Sequence, residues 1–171
     1  MTENQMPLAL RCVEIALIIP DNQAETAQAT LRKLGVPVGA LERNDVYRFA
    51  LEPGYEEALL QALARIETIY NPNKHALRLR DEAIPEPGEA WVHEIPHGAE
   101  TAAAATTRRA GPEGFAPVTI AGRSLPGVHK IERFTAWRLR DGAGAPASAA
   151  VVTQALETLL CNSAFQRATT R

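Results

Sequence analysis

The sequence predicts an α+β protein built from two tandem copies of one small unit. Three internal echoes, which recur in the same order in both halves, lead to this prediction. Self-similarity of this kind sets the architecture before any single element does. The central echo has six matching positions within nine residues and returns ninety residues later at identical spacing: Leu41-Glu42-Arg43 with Tyr47-Arg48-Phe49, and Ile131-Glu132-Arg133 with Trp137-Arg138-Leu139.

The other two echoes flank this central one. Residues 24–35 match 99–111 upstream, and residues 66–69 match 156–159 downstream. Chance matching in an alanine-rich chain is the alternative, above all for the Ala-Glu-Thr triplet at 24–26 and 99–101. We interpret the set as a duplication, with a first unit over 8–82, a linker over 83–89, and a second unit over 90–168 that carries an insertion at about 112–127.

Composition excludes several classes of protein. The 171 residues carry a net charge of −2 with no basic stripe, so neither nucleic acid nor an anionic membrane is an expected partner. Cys12 and Cys161 show neither metal-ligand spacing nor a disulfide framework. No signal peptide and no apolar stretch of the ~20 residues needed to span a bilayer are present. We expect a soluble, cytoplasmic protein.

Periodicity places the elements of the first unit. An apolar strand over 13–19 is followed by a helix over 24–34 and by a strand with period-two alternation over 41–51. A second helix has an apolar stripe from Leu59 to Ile69 and is ended by Asn71-Pro72, because proline cannot continue it. Residues 74–80 alternate again as an edge strand, and 36–41 leave room for a short extra strand.

The second unit follows the same order after the proline-rich linker 84–88. A strand is predicted over 90–95, a turn at Pro96-His97-Gly98, a helix over 100–109 and a hairpin around Gly122. The last helix spans roughly 147–160. Strand–helix–strand–helix units of this kind predict two ferredoxin-like folds. Both faces of each sheet are partly apolar, so we expect the two antiparallel sheets to pack on one another as an intramolecular pseudo-dimer.

The first unit resembles PurS, the small subunit of phosphoribosylformylglycinamidine synthase. The resemblance covers the apolar strand 13–19, the turn into a helix at 21–26, the Leu-Gly helix end at 31–35, the charged strand 41–51 and Ile69-Tyr70-Asn71-Pro72. The second unit resembles the family more weakly, through 96–101, 128–139 and 159–163. Asn22 and Ala24 replace the proline and glycine of the family's turn, and the family's usual chain is a single copy that dimerises.

This resemblance implies a non-catalytic assembly subunit of purine biosynthesis. Such a subunit bridges the glutaminase and the ATP-dependent synthetase, holding their active sites in register so that ammonia passes between them. The implied partners are these two subunits, and a homodimer is the further assembly considered. An accessory subunit of a C–N ligase needs no catalytic residues and no cofactor of its own.

The residues support no catalytic, cofactor or metal site. No Gly-rich phosphate loop or nucleophile elbow occurs. Cys12 and Cys161 lie in apolar patterns, which favours buried thiols over nucleophiles. His93 and His97 have the spacing of helical metal ligands, but Pro96 between them disfavours a helix. Whether the chain is an enzyme stays open, because a site in the cleft between the units is disfavoured rather than excluded.

The repeated charged pairs are the candidate interface. Glu42-Arg43 and Glu132-Arg133 form either a symmetric patch that docks a partner or a solvated strand face with cross-strand ion pairs. Trp91 is added to this interface because tryptophan often anchors partner surfaces. Tyr47 and Trp137, at equivalent positions, are assigned to the core or to the sheet–sheet contact.

An alternative function follows from the same fold. Tandem ferredoxin-like repeats also serve as regulatory proteins that bind a small molecule in the cleft between the repeats.

Overall fold

The structure is a computed structural model that describes residues 8–95 and 119–171. The first half of the chain contains β1 (Ala9–Leu17), α1 (Asn22–Lys33), β2 (Ala40–Leu51), α2 (Glu56–Leu63) and β3 (His75–Arg80). The second half contains β4 (Glu89–Glu94), β5 (Thr119–Ile120), β6 (Arg123–Ser124), β7 (Val128–Arg140), α3 (Ala149–Ala155), a π-helical turn (Leu156–Leu160) and β8 (Gln166–Thr170). None of the described helices is long and apolar enough to cross a membrane.

The main strands form one antiparallel sheet of six strands in the order β3-β1-β2-β7-β4-β8. The predicted α+β class is therefore confirmed. The prediction of two sheets packed face to face is wrong, because the halves join edge to edge through β2 and β7. Edge pairing satisfies the backbone N–H and C=O groups that two separate edge strands would leave exposed.

The β2–β7 ladder joins the two copies of the central echo. Leu41 pairs with Leu139, and Phe49 pairs with Ile131. Ile131 is the echo of Leu41, and Leu139 is the echo of Phe49. In an antiparallel pair, this register relates each residue of β2 to its echo in β7 by a local two-fold axis at the centre of the ladder. The two halves contribute their strands in mirrored order on either side of that axis.

All described helices cover one face of the sheet, here called the helix face, in two apolar clusters. At one end α2 packs Leu59 and Leu63 against Phe49 of β2. At the other end Leu31 of α1 and Val152 of α3 pack over the sheet. Helices from both halves therefore share the second cluster, which ties the halves together beyond the strand pairing.

The opposite face is curled inwards and is here called the concave face. In a flat sheet β3 and β4 would lie about 19 Å apart, from four strand spacings of ~4.8 Å. Arg80 at the end of β3 nevertheless contacts Glu89 at the start of β4. The segment 81–88, which includes most of the predicted linker 83–89, connects these strands and places Ala83 on a third apolar cluster: Cys12, Val46, Trp91, Phe134 and Ala136.

Several elements differ from the prediction. Helix α2 ends at Leu63, since the next backbone bonds, such as Ile66 N–H to Leu63 C=O, span three residues. Residues 36–39 form no strand, because Val38 donates its N–H to Val36 C=O and accepts at its own C=O from the Arg32 side chain of α1. Strand β8 was not predicted. The hairpin around Gly122 is confirmed. The predicted turn 96–98, the helix 100–109 and the insertion up to residue 118 lie outside the described residues.

Candidate functional site

An ionic network is buried on the concave face and joins the two halves of the chain. Arg80 donates to Glu89 Oε2 at 2.7 Å and to Glu14 Oε2 at 2.9 Å. Arg138 reaches the same two carboxylates, at 3.2 Å from Glu14 and 3.3 Å from Glu89. Each guanidinium therefore bridges one carboxylate from the first half and one from the second.

The burial of this network is unusual for charged residues. The side chains of Arg80 and Glu89 are 2% and 0% exposed, and that of Glu14 is 5% exposed. Charges are buried at this level only when they are paired and hydrogen-bonded, because removal from water costs several kcal/mol per ion. Asn44 Nδ2 donates to Glu14 Oε1, and the Glu86 backbone N–H donates to Glu89 Oε2.

The paired charges hold the network ionised. Burial by itself would raise the pKa of Glu89, but the hydrogen bond from Arg80, the Glu86 backbone N–H and the charges of Arg80 and Arg138 outweigh it. The pKa of Glu89 therefore lies below its ordinary value. Burial opposes the charge of Arg80 and Arg138 in the same way, yet the neighbouring carboxylates raise the pKa of both above their ordinary value.

Trp91 lies inside the concave face, next to the network. It is 1% exposed, the Arg80 guanidinium stacks 5.1 Å from its ring centroid, and Phe134 packs 5.2 Å away. Trp91, a predicted interface residue, is therefore enclosed within the fold in this structure. The strand pattern at 89–94 puts residue 91 on the inner side, which the sequence alone did not distinguish from a surface position.

The other candidate interface residues lie along the central ladder. Glu132 pairs with Arg48 at 2.8 Å, and Glu42 pairs with Arg138 at 3.4 Å. These two ion pairs are related by the local two-fold axis and both cross from β2 to β7. The structure thus contains the cross-strand ion pairs that were one of the two interpretations of the charged echoes.

The two candidate interface arginines, Arg43 and Arg133, lie on the helix face. Arg43 donates to Asp21 at 2.8 Å, and Asp21 also caps α1 by accepting from the N–H groups of Gln23 and Ala24. Arg133 pairs with Asp45 at 3.1 Å and remains 54% exposed. Of the four charged candidates, Arg133 is the most exposed and therefore the most available to a partner.

A groove of about 480 Å³ lies on the helix face, between helical segments of the two halves. One wall is α1 of the first half, and the other wall is the π-helical turn of the second half. Trp137 of β7 contributes its half-buried indole ring. A polar cavity of about 290 Å³ lies nearby, where β1 ends beside α1, and it is lined by both acidic and basic residues of the ionic network and the α1 cap.

The thiol on the concave face is not an activated nucleophile. Cys12 is fully buried, and burial raises the pKa of its thiol to about 11, an effect that Arg48 and Arg80 only partly offset. No group of three or more potential metal ligands occurs in 8–95 and 119–171. His93 packs edge-on against Phe134, whereas His97 lies outside the described residues.

Sequence reasoning missed the ionic network. Arg78 and Arg80 alternate with leucines in β3, and Glu14 interrupts an otherwise apolar strand. Each is an ordinary pattern on its own, since a lone charge in a strand is normally a solvated one. Their convergence depends on the curl of the sheet, which local sequence does not encode.

Comparison with protein families, with characterised proteins and with solved structures finds no match for this chain.

Proposed function

We propose that this chain is a non-catalytic assembly subunit, resembling PurS, that bridges the glutaminase and the ATP-dependent synthetase of phosphoribosylformylglycinamidine synthase. The observation that carries the proposal is the β2–β7 ladder, in which two segments that resemble the same family strand pair about a local two-fold axis. A single-copy relative must dimerise to complete such an arrangement. This chain supplies both halves covalently.

The proposal includes two tandem ferredoxin-like units. Within the described residues, the first half contains β1, α1, β2, α2 and β3, and the second half contains β4, β7 and β8 with α3 between β7 and β8. The edge of β2 that a further strand of the same unit would cover is covered by β7 instead. Fusion of the copies fixes their relative position, which suits a subunit whose role is to hold two other proteins in register.

The chemistry of the described residues fits an accessory role. Attack on the glutamine amide needs a thiolate, and Cys12 is buried with a raised pKa. The carboxylates of Glu14, Glu89 and Glu132 are held in ion pairs within the sheet. We expect the purified chain to show neither glutaminase nor ATPase turnover.

The test is capture of the partner subunits. The full chain is immobilised and mixed with the glutaminase and the synthetase subunit, alone and together. Retention of both, with glutamine-dependent amidine synthesis restored only when all three proteins are present, supports the proposal. Failure to retain either subunit overturns it.

A matched pair of variants tests Arg133, the exposed arginine in the second copy of the central echo. Arg133→Glu reverses a half-exposed charge on the central ladder, and Lys33→Glu reverses an exposed charge at the end of α1. Loss of capture with Arg133→Glu but not with Lys33→Glu assigns the partner surface to the ladder. Equal capture by both variants leaves Arg133 as an internal ion-pair residue and excludes it from the docking surface.

The alternative of a small-molecule regulatory protein is favoured by one feature, the groove between the halves.

A further inference from the structure

The groove between the halves has an aromatic and uncharged lining. Eight residues line it, and none of them is ionisable: Asn22, Gln23, Thr26, Ala27, Thr30, Trp137, Leu159 and Leu160. Its volume of about 480 Å³ lies within the range of small-molecule sites, which is about 300–1,000 Å³. Leu159 is 42% exposed, so the apolar wall faces solvent in the absence of a ligand.

The polar groups of the groove are few and are available to a ligand. Within the described residues, the indole N–H of Trp137 and the side-chain amides of Asn22 and Gln23 make no hydrogen bond to protein. The threonine hydroxyls differ, because Thr26 donates to Asn22 C=O at 2.7 Å and Thr30 donates to Thr26 C=O at 2.8 Å. These two bonds occupy the hydroxyl protons within α1.

The charged side chain next to Trp137 is paired with a carboxylate outside the groove. Arg43, which pairs with Trp137 across the β2–β7 ladder, donates to Asp21 at 2.8 Å. A charged ligand would therefore gain no salt bridge from the lining and would lose hydration on entry. A planar, uncharged ring gains dispersion contacts with the indole and can accept from its N–H.

We propose that this groove binds an uncharged planar heterocycle of the nucleobase or nucleoside class, with its ring on Trp137 and its polar edge towards Trp137 N–H and the amides at the start of α1. The site exists only where α1 of one half meets the π-helical turn of the other. It does not depend on the assembly role, since binding is measured on the isolated full chain.

Intrinsic fluorescence gives a direct assay, because the chain has two tryptophans and only one lines the groove. Trp91→Phe leaves Trp137 as the only reporter, and Trp137→Phe leaves the buried Trp91 as the matched control. The probes are adenosine, guanosine, cytidine and uridine, each compared with its 5′-monophosphate. We expect saturable quenching with at least one nucleoside in the first variant and none in the second.

Two further comparisons test the chemistry of the site. The monophosphates should bind no more tightly than the nucleosides, and affinity should change little with salt, because no charge lines the groove. Thr26→Arg, which places a long side chain in the groove, should weaken binding about tenfold, equivalent to about 1.4 kcal/mol. Ala29→Arg, at an exposed position of α1 outside the groove, should leave binding unchanged.

Three results would overturn the proposal. One is the absence of saturable quenching of Trp137 by all four nucleosides. Another is equal loss of binding in Thr26→Arg and Ala29→Arg. The third is loss of partner-subunit capture in Thr26→Arg without any nucleoside binding, which would make the groove a protein-docking surface. The capture experiment is independent, so failure of the nucleoside site leaves the assembly role standing.

Discussion

Arg80 and Glu89 lie on strands four positions apart in the sheet, yet Arg80 Nη2 is 2.7 Å from Glu89 Oε2. The segment 81–88 connects the two residues along the chain, and the ion pair closes it into a loop across the concave face. Glu14 and Arg138 join the same network from the two halves. This contact, together with the β2–β7 ladder, makes the two halves one folded unit.

Removing the charge of Glu89 should destabilise the whole chain. Glu89→Gln leaves the buried Arg80 and Arg138 with one carboxylate fewer, and breaking a buried ion pair costs about 3 kcal/mol. Urea unfolding measures the loss. Glu82→Gln is the matched control, because Glu82 pairs with Arg171 at the surface and should change stability by about 0.5 kcal/mol or less. Equal effects of the two variants would show that the buried network does not stabilise the fold.

Stability should fall in acid through the same carboxylate. The pKa of Glu89 is lowered in the folded chain, so the unfolded chain binds more protons at low pH. Glu89 therefore contributes stability above the ordinary glutamate pKa of 4.5, and this contribution is lost as the pH falls through the lower, folded value. Unfolding free energies measured from pH 7 to pH 3 should decline less steeply in Glu89→Gln. A slope identical to that of the parent chain would contradict this assignment.

The two thiols should react at very different rates. Cys12 is fully buried with a pKa raised to about 11, whereas Cys161 is partly exposed. A thiol reagent such as dithiobisnitrobenzoate should modify one cysteine rapidly and the second only after addition of denaturant. Cys161→Ala should abolish the rapid phase. Rapid modification of Cys12 in the native chain would mean that the concave face opens readily.

Gly39 should tolerate no side chain. A Cβ at this position would overlap the carbonyl of Asp141, where the loop after β7 passes the start of β2. Relief requires a backbone shift, so Gly39→Ala should destabilise by about 2 kcal/mol. Gly142→Ala is the control in the same loop, because a Cβ there meets no atom within 4 Å. Thermal unfolding of Gly39→Ala and Gly142→Ala measures the difference in stability, and equal loss in both would contradict this prediction.

The sequence was sufficient to predict those features that depend on local pattern. Period-two alternation located β2, and apolar residues at helical spacing located α1, which was predicted over 24–34 and spans Asn22–Lys33. The register of the long ladder could also have been inferred, since an antiparallel pair of echoed strands is symmetric about its centre. The prediction chose face-to-face sheets because both faces of each strand carry apolar residues.

The buried network and the groove could not be predicted, for a physical reason. Glu14, Arg80, Glu89 and Arg138 come from four different strands, and the curl of the sheet brings them together. The groove needs α1 and the π-helical turn, which lie more than a hundred residues apart in the chain. Neither arrangement leaves a periodic signal in the sequence.

Cross-linking the centre of the β2–β7 ladder tests the central claim, that the two echoing strands pair within one chain. Asp45 and Thr135 are directly opposite each other, and opposed Cα atoms in an antiparallel pair lie about 4.5–5.5 Å apart, which suits a disulfide. The variant combines Asp45→Cys and Thr135→Cys with Cys12→Ala and Cys161→Ala. A control replaces Ala136 instead of Thr135, because its side chain lies on the opposite face.

Mass spectrometry and non-reducing electrophoresis read the result. The account predicts a disulfide within a monomeric chain for Asp45→Cys with Thr135→Cys, and free thiols for the control. Cross-linked dimers, or no disulfide in either variant under oxidising conditions, would contradict pairing of β2 with β7 in one chain.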